Sequence, residues 1–424
     1  MIHGIARATR RSLPGLIGLL SSLLLFSCGQ RDEPSITTTI RVGILHSRTG
    51  TMALSEATVA EAERLAIEEI NAAGGLKLNG RTVRIQPIEE DGMSDPAVFA
   101  RKAQQLLNDD EVVAIFGGWT SASRKAMLPV MEASNGLLFY PVQYEGQECS
   151  PAVVYGGSVP NQQSEPALGW MLNNHSKRLL LIGSDYVYPR TANRIMRAQA
   201  ERKQALVLNE RYLPLGSKAV EPLIKAIQAA LDGGPVVVVN TLNGDSNIAF
   251  FQALQRQGLT KRSTLKVLSL SVSEEEAIAI GASNIAGTYA SWSYFQSLQT
   301  PESVDFGRRF RQRFGFHRVI NDPAEAGYSL VHLWAQAVEA TGSFKTDAVR
   351  QALIGSRFNA PQGPLQVSSS LHLNKRSLLA QADTRGDFII VKDFGVIEPK
   401  PWNPDLAESA GATCDHRVTL QIMD

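Results

Sequence analysis

The chain has 424 residues, and its 42 basic and 41 acidic side chains leave a formal charge of +1 at pH 7. The 44% of hydrophobic and 20% of charged residues are ordinary for globular proteins and exclude wholesale disorder. The length predicts two domains with terminal segments. The balanced charge argues against nucleic-acid binding. Three cysteines and seven histidines, without zinc-ligand clustering, argue against a metalloenzyme and leave only an all-carboxylate metal site open. We expect no metal and no cofactor.

The first thirty residues predict export rather than part of the fold. Basic residues precede an apolar run, residues 13–26, which is shorter than the roughly 20 residues that a membrane-spanning helix needs. The letters LFSC at positions 25–28 resemble a bacterial lipoprotein signal; the alternative is an ordinary secretory signal in which Cys28 is incidental. We expect residues 1–27 to be a signal peptide and residues 28–39 a polar tether. The protein is then anchored outside the cytoplasm through a lipidated Cys28, by an export route that stays open.

Two cysteines remain after the signal, Cys149 and Cys414. An even pair in an oxidising compartment can form a disulfide. The alternative is two unrelated thiols, since the sequence does not give the distance between them.

Apolar strands alternate with amphipathic helices from residue 40 onward. In chain order the pattern predicts strands over 40–45, 83–88 and 112–116 with helices over 57–73 and 96–107, then strands over 178–183 and 236–239 with helices over 190–203 and 247–257. Helical patterns follow over 301–314 and 323–340, and residues 365–391 return to strand-like alternation. Strand and helix in strict succession predict parallel sheets with right-handed crossovers. Because the rhythm restarts once, we expect two doubly wound α/β lobes.

Ligands of open parallel sheets bind beyond the carboxyl ends of the strands. Beyond the third predicted strand, a Gly-Gly pair precedes Trp119, Thr120 and Ser121 at the start of a helix, which favours ligand contact over simple capping. Arg124 and Lys125 stand at the helix end that disfavours cations, so we expect them to meet other loops.

Three further loops carry candidate ligand contacts. Tyr140, Gln143 and Tyr144 crowd into one loop, where ring faces and edge donors suit a small planar polar ligand; the alternative is a tyrosine-rich packing corner. Asp185 and Asp245 follow strands of the second predicted lobe, and each can accept from a ligand or cap a helix.

The sequence argues against an enzyme. It lacks the Gly-x-Ser-x-Gly elbow of many hydrolases, the Walker motif and the Gly-x-Gly-x-x-Gly fingerprint of dinucleotide binding. Its histidines are scattered, and Cys149 has no nucleophile signature around it. Binding without chemistry is the better interpretation.

Four loop stretches carry a resemblance to a known family. The stretches GGWTSASRK (117–125), LFYPVQYEG (138–146), GSDYVYPRTAN (183–193) and NTLNGDSN (240–247) resemble the urea-binding subunit of bacterial urea ABC transporters. Residues 294–297 and 322–328 extend the likeness, which runs from position 42 to about position 402. Residues 371–388 are looser than the usual pattern of that family, and the two late cysteines are not among its features.

The resemblance implies a type I periplasmic binding protein fold, with two α/β lobes that are joined by hinge strands and close on the ligand. It implies one lobe from 40–160 and 290–364, a second from 161–289 and 365–403, and a tail over 404–424. It further implies a receptor that passes urea or a short-chain amide to ABC permease subunits driven by cytoplasmic ATPases.

The cytosolic amide-binding regulators of amidase operons share these stretches. There the position matching Trp119 is aromatic, and those matching Ser121, Tyr140 and Tyr186 contact the amide. Together with the residues chosen from local chemistry, the predicted ligand site consists of Trp119, Thr120, Ser121, Tyr140, Gln143, Tyr144, Tyr186 and Asp245.

Three other functions compete with urea uptake. An amide-sensing regulator shares the fold, but it has no reason to carry an export signal. A branched-chain amino-acid receptor must hold an ammonium and a carboxylate, which the crowded aromatic side chains argue against. A hydrolase is a distant third.

Overall fold

The computed structural model describes residues 38–417 of the chain. The predicted signal peptide and its lipidation site, Cys28, lie outside this range, as does most of the predicted tether. No helix among the described residues combines the length and hydropathy that a bilayer span requires.

The first third of the described chain alternates short strands and helices. In order they are β1 (Thr38–His46), α1 (Ala53–Ala72), β2 (Leu76–Leu78), β3 (Arg81–Asp91), α2 (Pro96–Asn108), β4 (Ile115–Gly117), α3 (Ser121–Ala133), β5 (Leu138–Tyr140) and β6 (Val153–Tyr155). They form a sheet in the order β2-β3-β1-β4-β5-β6, in which β2 is antiparallel and the other neighbours are parallel.

The middle third repeats this alternation. It contains α4 (Ser164–Asn174), β7 (Arg178–Ser184), α5 (Val187–Arg202), β8 (Leu206–Leu213), α6 (Glu221–Asp232), β9 (Val236–Thr241), α7 (Asp245–Arg256), β10 (Leu265–Ser269), α8 (Glu274–Ile280), α9 (Ala282–Ile285) and β11 (Tyr289–Trp292).

The last third adds three helices and four strands. They are α10 (Pro301–Phe314), α11 (Asp322–Thr341), α12 (Thr346–Leu353), β12 (Arg357–Ala360), β13 (Gly363–Gln366), β14 (Lys375–Ala382) and β15 (Phe388–Ile397). The second sheet has the order β15-β14-β11-β10-β9-β7-β8, with β14 antiparallel to β11 and to β15. A separate hairpin pairs β12 with β13.

The chain crosses between the two sheets three times. After β11 it leaves the second sheet for α10 to α12, and α11 packs on the first sheet, with Trp334 edge-on to Phe116 at 5.8 Å. After β13 it returns to the second sheet through residues 367–374. The hydroxyls of Ser158 and Ser293 lie 2.8 Å apart and join two of the three crossings. The exact lobe boundaries stay a prediction.

The predicted elements differ from the observed ones mainly at their ends. The predicted helix over 57–73 begins earlier, at Ala53, because a first helical turn is set by local hydrogen bonds and need not carry the buried stripe that marks the rest. The predicted strand over 112–116 was wrong in its first half. β4 begins at Ile115, although the two residues before it already bond to β1: Val113 donates to the carbonyl of Arg41 at 3.0 Å, and Ala114 accepts from Gly43 at 2.8 Å.

A buried ion triad fixes the end of β1. Both ring nitrogens of His46 are held by carboxylates of α1, Nδ1 by Glu56 at 3.2 Å and Nε2 by Glu63 at 3.0 Å. Burial alone would lower the pKa of His46, but Glu63 and Glu56 raise it to about 10. Glu56 also accepts from the backbone N–H of Ser47 at 2.7 Å. The loop after β1 therefore starts from an imidazole that is held on both ring nitrogens by buried carboxylates.

We expect His46→Gln to lower the free energy of unfolding by about 3 kcal/mol at pH 7, because it leaves two buried carboxylates without their cationic partner. The folded pKa of His46 lies above its unfolded value, so its contribution is complete below about pH 6.5 and is lost as pH rises toward 10. Guanidinium chloride denaturation at pH 7 and pH 10 measures both effects. The difference in the free energy of unfolding between the wild type and the variant should be smaller at pH 10 than at pH 7. The matched change His317→Gln, at an exposed histidine, should leave stability nearly unchanged. A gap of equal size at both pH values would contradict the charge argument.

Candidate functional site

The loops beyond the carboxyl ends of both sheets meet in one cleft. The indole Nε1 of Trp119 donates to Oδ1 of Asn243 at 3.4 Å, and the backbone N–H of Asp245 donates to Oγ1 of Thr51 at 3.1 Å. Each pair joins a first-sheet loop to the loop after β9. The predicted residues Trp119 and Asp245 therefore lie at the same junction. We call the space between these loops of the two sheets the cleft.

The loop after β4 brings Trp119 into place. The φ of Gly117 is 139°, and a Cβ at this residue would lie 2.0 Å from the carbonyl oxygen of Leu45, so only glycine fits. Tyr140, at the end of the neighbouring strand β5, donates its hydroxyl to the carbonyl of Trp119. Burial raises the pKa of Tyr140, which keeps that hydroxyl protonated as a donor. Trp119 and Tyr140, both predicted for the site, are therefore joined by a hydrogen bond beside the cleft.

Thr120 and Ser121 open helix α3 and have different roles. Thr120 is the N-cap, and its hydroxyl accepts from the backbone N–H of Ser123 at 3.0 Å. Ser121 donates its hydroxyl to Glu145 at 2.5 Å and accepts from Arg124 at 3.1 Å. Both side chains are thus engaged within the protein, and their contact with a ligand stays a prediction.

A buried ion cluster lies behind Ser121. Arg124 is fully buried and donates to Glu148 at 2.7 Å and to Glu145 at 3.4 Å, while Lys125 contacts Glu148 at 2.8 Å. Burial alone would raise the pKa of Glu148, but Arg124 and Lys125 lower it to about 2. Two cations and two carboxylates therefore balance to zero beside the cleft. As expected, Arg124 and Lys125 meet another loop.

Tyr144 points away from the cleft into a stack of rings. Its ring lies 5.0 Å from that of Tyr155, and its hydroxyl lies 2.6 Å from Nε2 of His372. The guanidinium of Arg124 covers its face at 4.4 Å. Burial lowers the pKa of His372 to about 3, so this imidazole is neutral. Tyr144 supports the ion cluster, which matches the packing-corner alternative for this residue.

Gln143 and Tyr188 bring two unpaired polar atoms to the cleft. The Nε2 of Gln143 crosses to the second sheet and donates to the carbonyl of Leu270 at 2.9 Å and to Ser271 at 3.0 Å. Its Oε1 is buried and has no hydrogen bond. The hydroxyl of Tyr188 lies beside Ser271 and Gln143, yet it makes no hydrogen bond of good geometry. Burial raises its pKa to about 12. The amide oxygen of Gln143 and the hydroxyl of Tyr188 therefore lie near each other, and neither makes a hydrogen bond of good geometry.

Tyr186 and Asp245 stand at the starts of two second-sheet helices. Tyr186 is the N-cap residue of α5, is partly exposed and lies near Tyr140 and Glu145. Asp245 is the first residue of α7 and is partly buried. Asp185 is not drawn into the cleft, because its exposed carboxylate pairs with Arg190 at 2.6 Å.

Sequence reasoning passed over three residues of this region: Glu145, Tyr188 and Ser271. Glu145 and Tyr188 lie in the loop stretches 138–146 and 183–193, one or two positions from predicted ligand contacts. In an irregular loop, spacing does not tell which neighbour turns inward. Ser271 follows a strand that was not predicted.

Cys149 and Cys414 are joined by a disulfide in the structure, with their Cα atoms 5.8 Å apart. This distance lies in the usual range for such bonds. His416 completes a group whose possible ligand atoms lie within 4.8 Å of one another. Because the sulfurs are bonded to each other, the group offers a metal only one imidazole.

Residues 40–408 match the family model described as the periplasmic binding protein domain. The Leu/Ile/Val-binding protein homolog 6 of Brucella melitensis is 22% identical over 373 residues, which are 87% of this chain and 93% of that protein. An ABC-transporter solute binding protein from Rhodopseudomonas palustris BisB5, in complex with 3,4-dihydroxybenzoic acid, has a TM-score of 0.74 at 18% identity and covers 85% of this chain and 98% of its own. LivJ from Streptococcus pneumoniae, in complex with isoleucine, has a TM-score of 0.71 at 16% identity, with 85% and 100% covered. The predicted fold class is confirmed.

We expect Arg124→Gln to lower the free energy of unfolding by about 3–5 kcal/mol, because it leaves two buried carboxylates without their cation. Lys125→Gln removes a neighbouring cation whose side chain is 38% exposed, and should cost less than about 1 kcal/mol. Thermal and guanidinium chloride unfolding measure both variants; urea is avoided as denaturant because it is a candidate ligand. Equal losses in the two variants would contradict a central role for Arg124.

Proposed function

We propose that this chain, which belongs to the periplasmic binding protein family, is a substrate-binding receptor of the ABC-transporter type whose ligand is urea or a short-chain amide. The receptor binds this ligand in the cleft and delivers it to ABC permease subunits with cytoplasmic ATPases. In this proposal a lipidated Cys28 anchors it to the membrane in the periplasm or cell envelope.

The unpaired atoms of Gln143 and Tyr188 carry the proposal. A buried polar atom without a partner costs about 1–3 kcal/mol, so an occupant that pairs both gains that energy. The Oε1 of Gln143 needs an N–H, and the hydroxyl of Tyr188 needs an acceptor. A primary amide group offers an N–H and a carbonyl oxygen on adjacent bonds. The two residues come from different sides of the cleft, and the Gln143 side chain already reaches the second sheet at Leu270, so a ligand bridging them adds to contacts that favour closure.

The charge balance beside the cleft supports a neutral ligand. Arg124 is taken up by Glu148 and Glu145, and its faces cover the rings of Tyr140 and Tyr144 at 4.9 and 4.4 Å. The ligands named for the two similar structures, 3,4-dihydroxybenzoic acid and isoleucine, both carry a carboxylate. A carboxylate here would have to compete for a guanidinium that two carboxylates already occupy.

A branched-chain amino acid is the second candidate ligand. The Brucella relative is named for Leu/Ile/Val binding, and LivJ holds isoleucine. Both likenesses are below 25% identity, and Arg124, which is paired with Glu148 and Glu145, offers the carboxylate of an amino acid no free cation.

The first test is isothermal titration of the full-length protein in detergent with urea, acetamide, formamide, benzoate and leucine. We expect saturable one-to-one binding of urea or one of the amides, no heat from benzoate and none from leucine. Leucine binding with silent urea and amides would overturn the ligand assignment and leave the receptor class standing.

The second test removes one unpaired atom. Tyr188→Phe deletes a hydroxyl that makes no hydrogen bond of good geometry within the protein. Stability should therefore stay within about 0.5 kcal/mol, while affinity falls about tenfold, the loss of one hydrogen bond. Tyr212→Phe is the matched control, because its hydroxyl binds Glu210 away from the cleft. Unchanged affinity in Tyr188→Phe would remove the donor from the proposed site.

A further inference from the structure

The C-terminal segment over 398–417, here called the strap, contacts helix α5 on one side and the loop between β5 and β6 on the other. After β15 it has no helix or strand beyond one short turn, Ala407–Ser409. Arg202 pairs with Asp405 and Arg194 pairs with Glu408, so helix α5 holds the strap by two ion pairs. These exposed contacts position one flank of the strap.

The strap also packs on the loop between β5 and β6. The backbone N–H of Gln147 donates to the carbonyl of Pro401 at 2.8 Å, and Ser409 donates to the side chain of Gln147 at 2.6 Å. Gly146 has a φ of +69°, and a Cβ there would lie 2.4 Å from the Pro401 oxygen. The two backbones are therefore in direct contact, with no side chain between them.

The disulfide fastens the far end of the strap to this same loop. Cys414 is bonded to Cys149, and beyond it the backbone N–H of His416 donates to the carbonyl of Ser369 at 2.8 Å. The two cysteines are separated by 265 positions in the sequence. The covalent link thus joins the end of the described chain to a loop of the first sheet.

The loop that the strap holds is the one that builds the ligand site. Residues 141–150 contain no helix or strand, so contacts alone fix their position. From this loop, Gln143 presents its unpaired oxygen to the cleft, while Glu145 and Glu148 bind Arg124. One side of the loop faces the ion cluster, and the other side faces the strap.

We propose that the strap and its disulfide form a positioning device for the ligand site. By holding residues 146–149 from outside, the strap keeps Gln143 and Glu145 in the binding arrangement before ligand arrives. A loop ordered in advance loses less conformational entropy on binding, so affinity is higher. Cys149 and Cys414 act through the loop and do not touch the ligand. The use of urea as the probe rests on the proposed function; the inference that the strap orders the loop does not.

The test compares the full-length protein with a Cys149→Ser, Cys414→Ser double variant. Amide hydrogen exchange without ligand should show residues 143–150 exchanging at least several-fold faster in the variant, and residues 236–241 of the second sheet unchanged. Titration with urea should show affinity reduced about tenfold, as expected for a loop that must be ordered on binding. Arg194→Ala is the matched control, since it removes a strap contact but leaves the disulfide.

The outcomes separate positioning from simple stabilisation. A lower melting temperature with unchanged loop exchange and unchanged urea affinity would overturn the proposal, because the disulfide would then stabilise the fold alone. Faster loop exchange with unchanged affinity would also overturn it. If the wild-type protein does not bind urea, the proposed ligand fails, and the affinity arm is repeated with whichever compound of the panel binds. Loop exchange in Arg194→Ala should match the wild type.

Discussion

The arrangement of the cleft depends on one buried cation. The guanidinium of Arg124 has no exposure to water, and a charge in that position is stable only with partners. Glu148 and Glu145 supply the countercharge, and both belong to a loop without regular structure. The need to neutralise Arg124 therefore draws that loop against helix α3. Gln143, in the same loop, then reaches across to the second sheet.

This constraint has a chemical result. A site built around a compensated charge offers hydroxyls, amide groups and ring faces, and it presents no free cation from Arg124. In the proposed function, such a lining would favour neutral polar molecules over carboxylates, because an ion would lose its hydration without gaining a countercharge. Ser121 connects the two descriptions, since its hydroxyl lies between Glu145 and Arg124. The fold alone, shared with receptors for aromatic acids and amino acids, does not determine this preference.

Local patterns in the sequence predicted the alternation of strands and helices and the loops that carry the site. Trp119 and Tyr140 were identifiable because their motifs stand directly at strand ends. Tyr144 could not be assigned in the same way, since its orientation depends on His372, which is 228 positions away. Tyr188 could not be assigned either, because the turn before α5 determines whether Tyr186 or Tyr188 faces inward, and the local sequence does not give the conformation of that turn. The strap was equally hidden, because its contacts join segments that no local period connects.

The hydrogen bonds that span the cleft have a further consequence. Trp119 with Asn243, Thr51 with Asp245, and Gln143 with Leu270 are bonds between protein groups, so part of the closing energy does not depend on a bound solute. If the two lobes open and close, an empty receptor would then also return to the closed shape on its own. A permease that recognises closure would meet some closed receptors without cargo, and each such encounter would use ATP and move nothing. The strength of these three bonds therefore sets a compromise between fast capture of a scarce solute and the efficiency of the whole transporter.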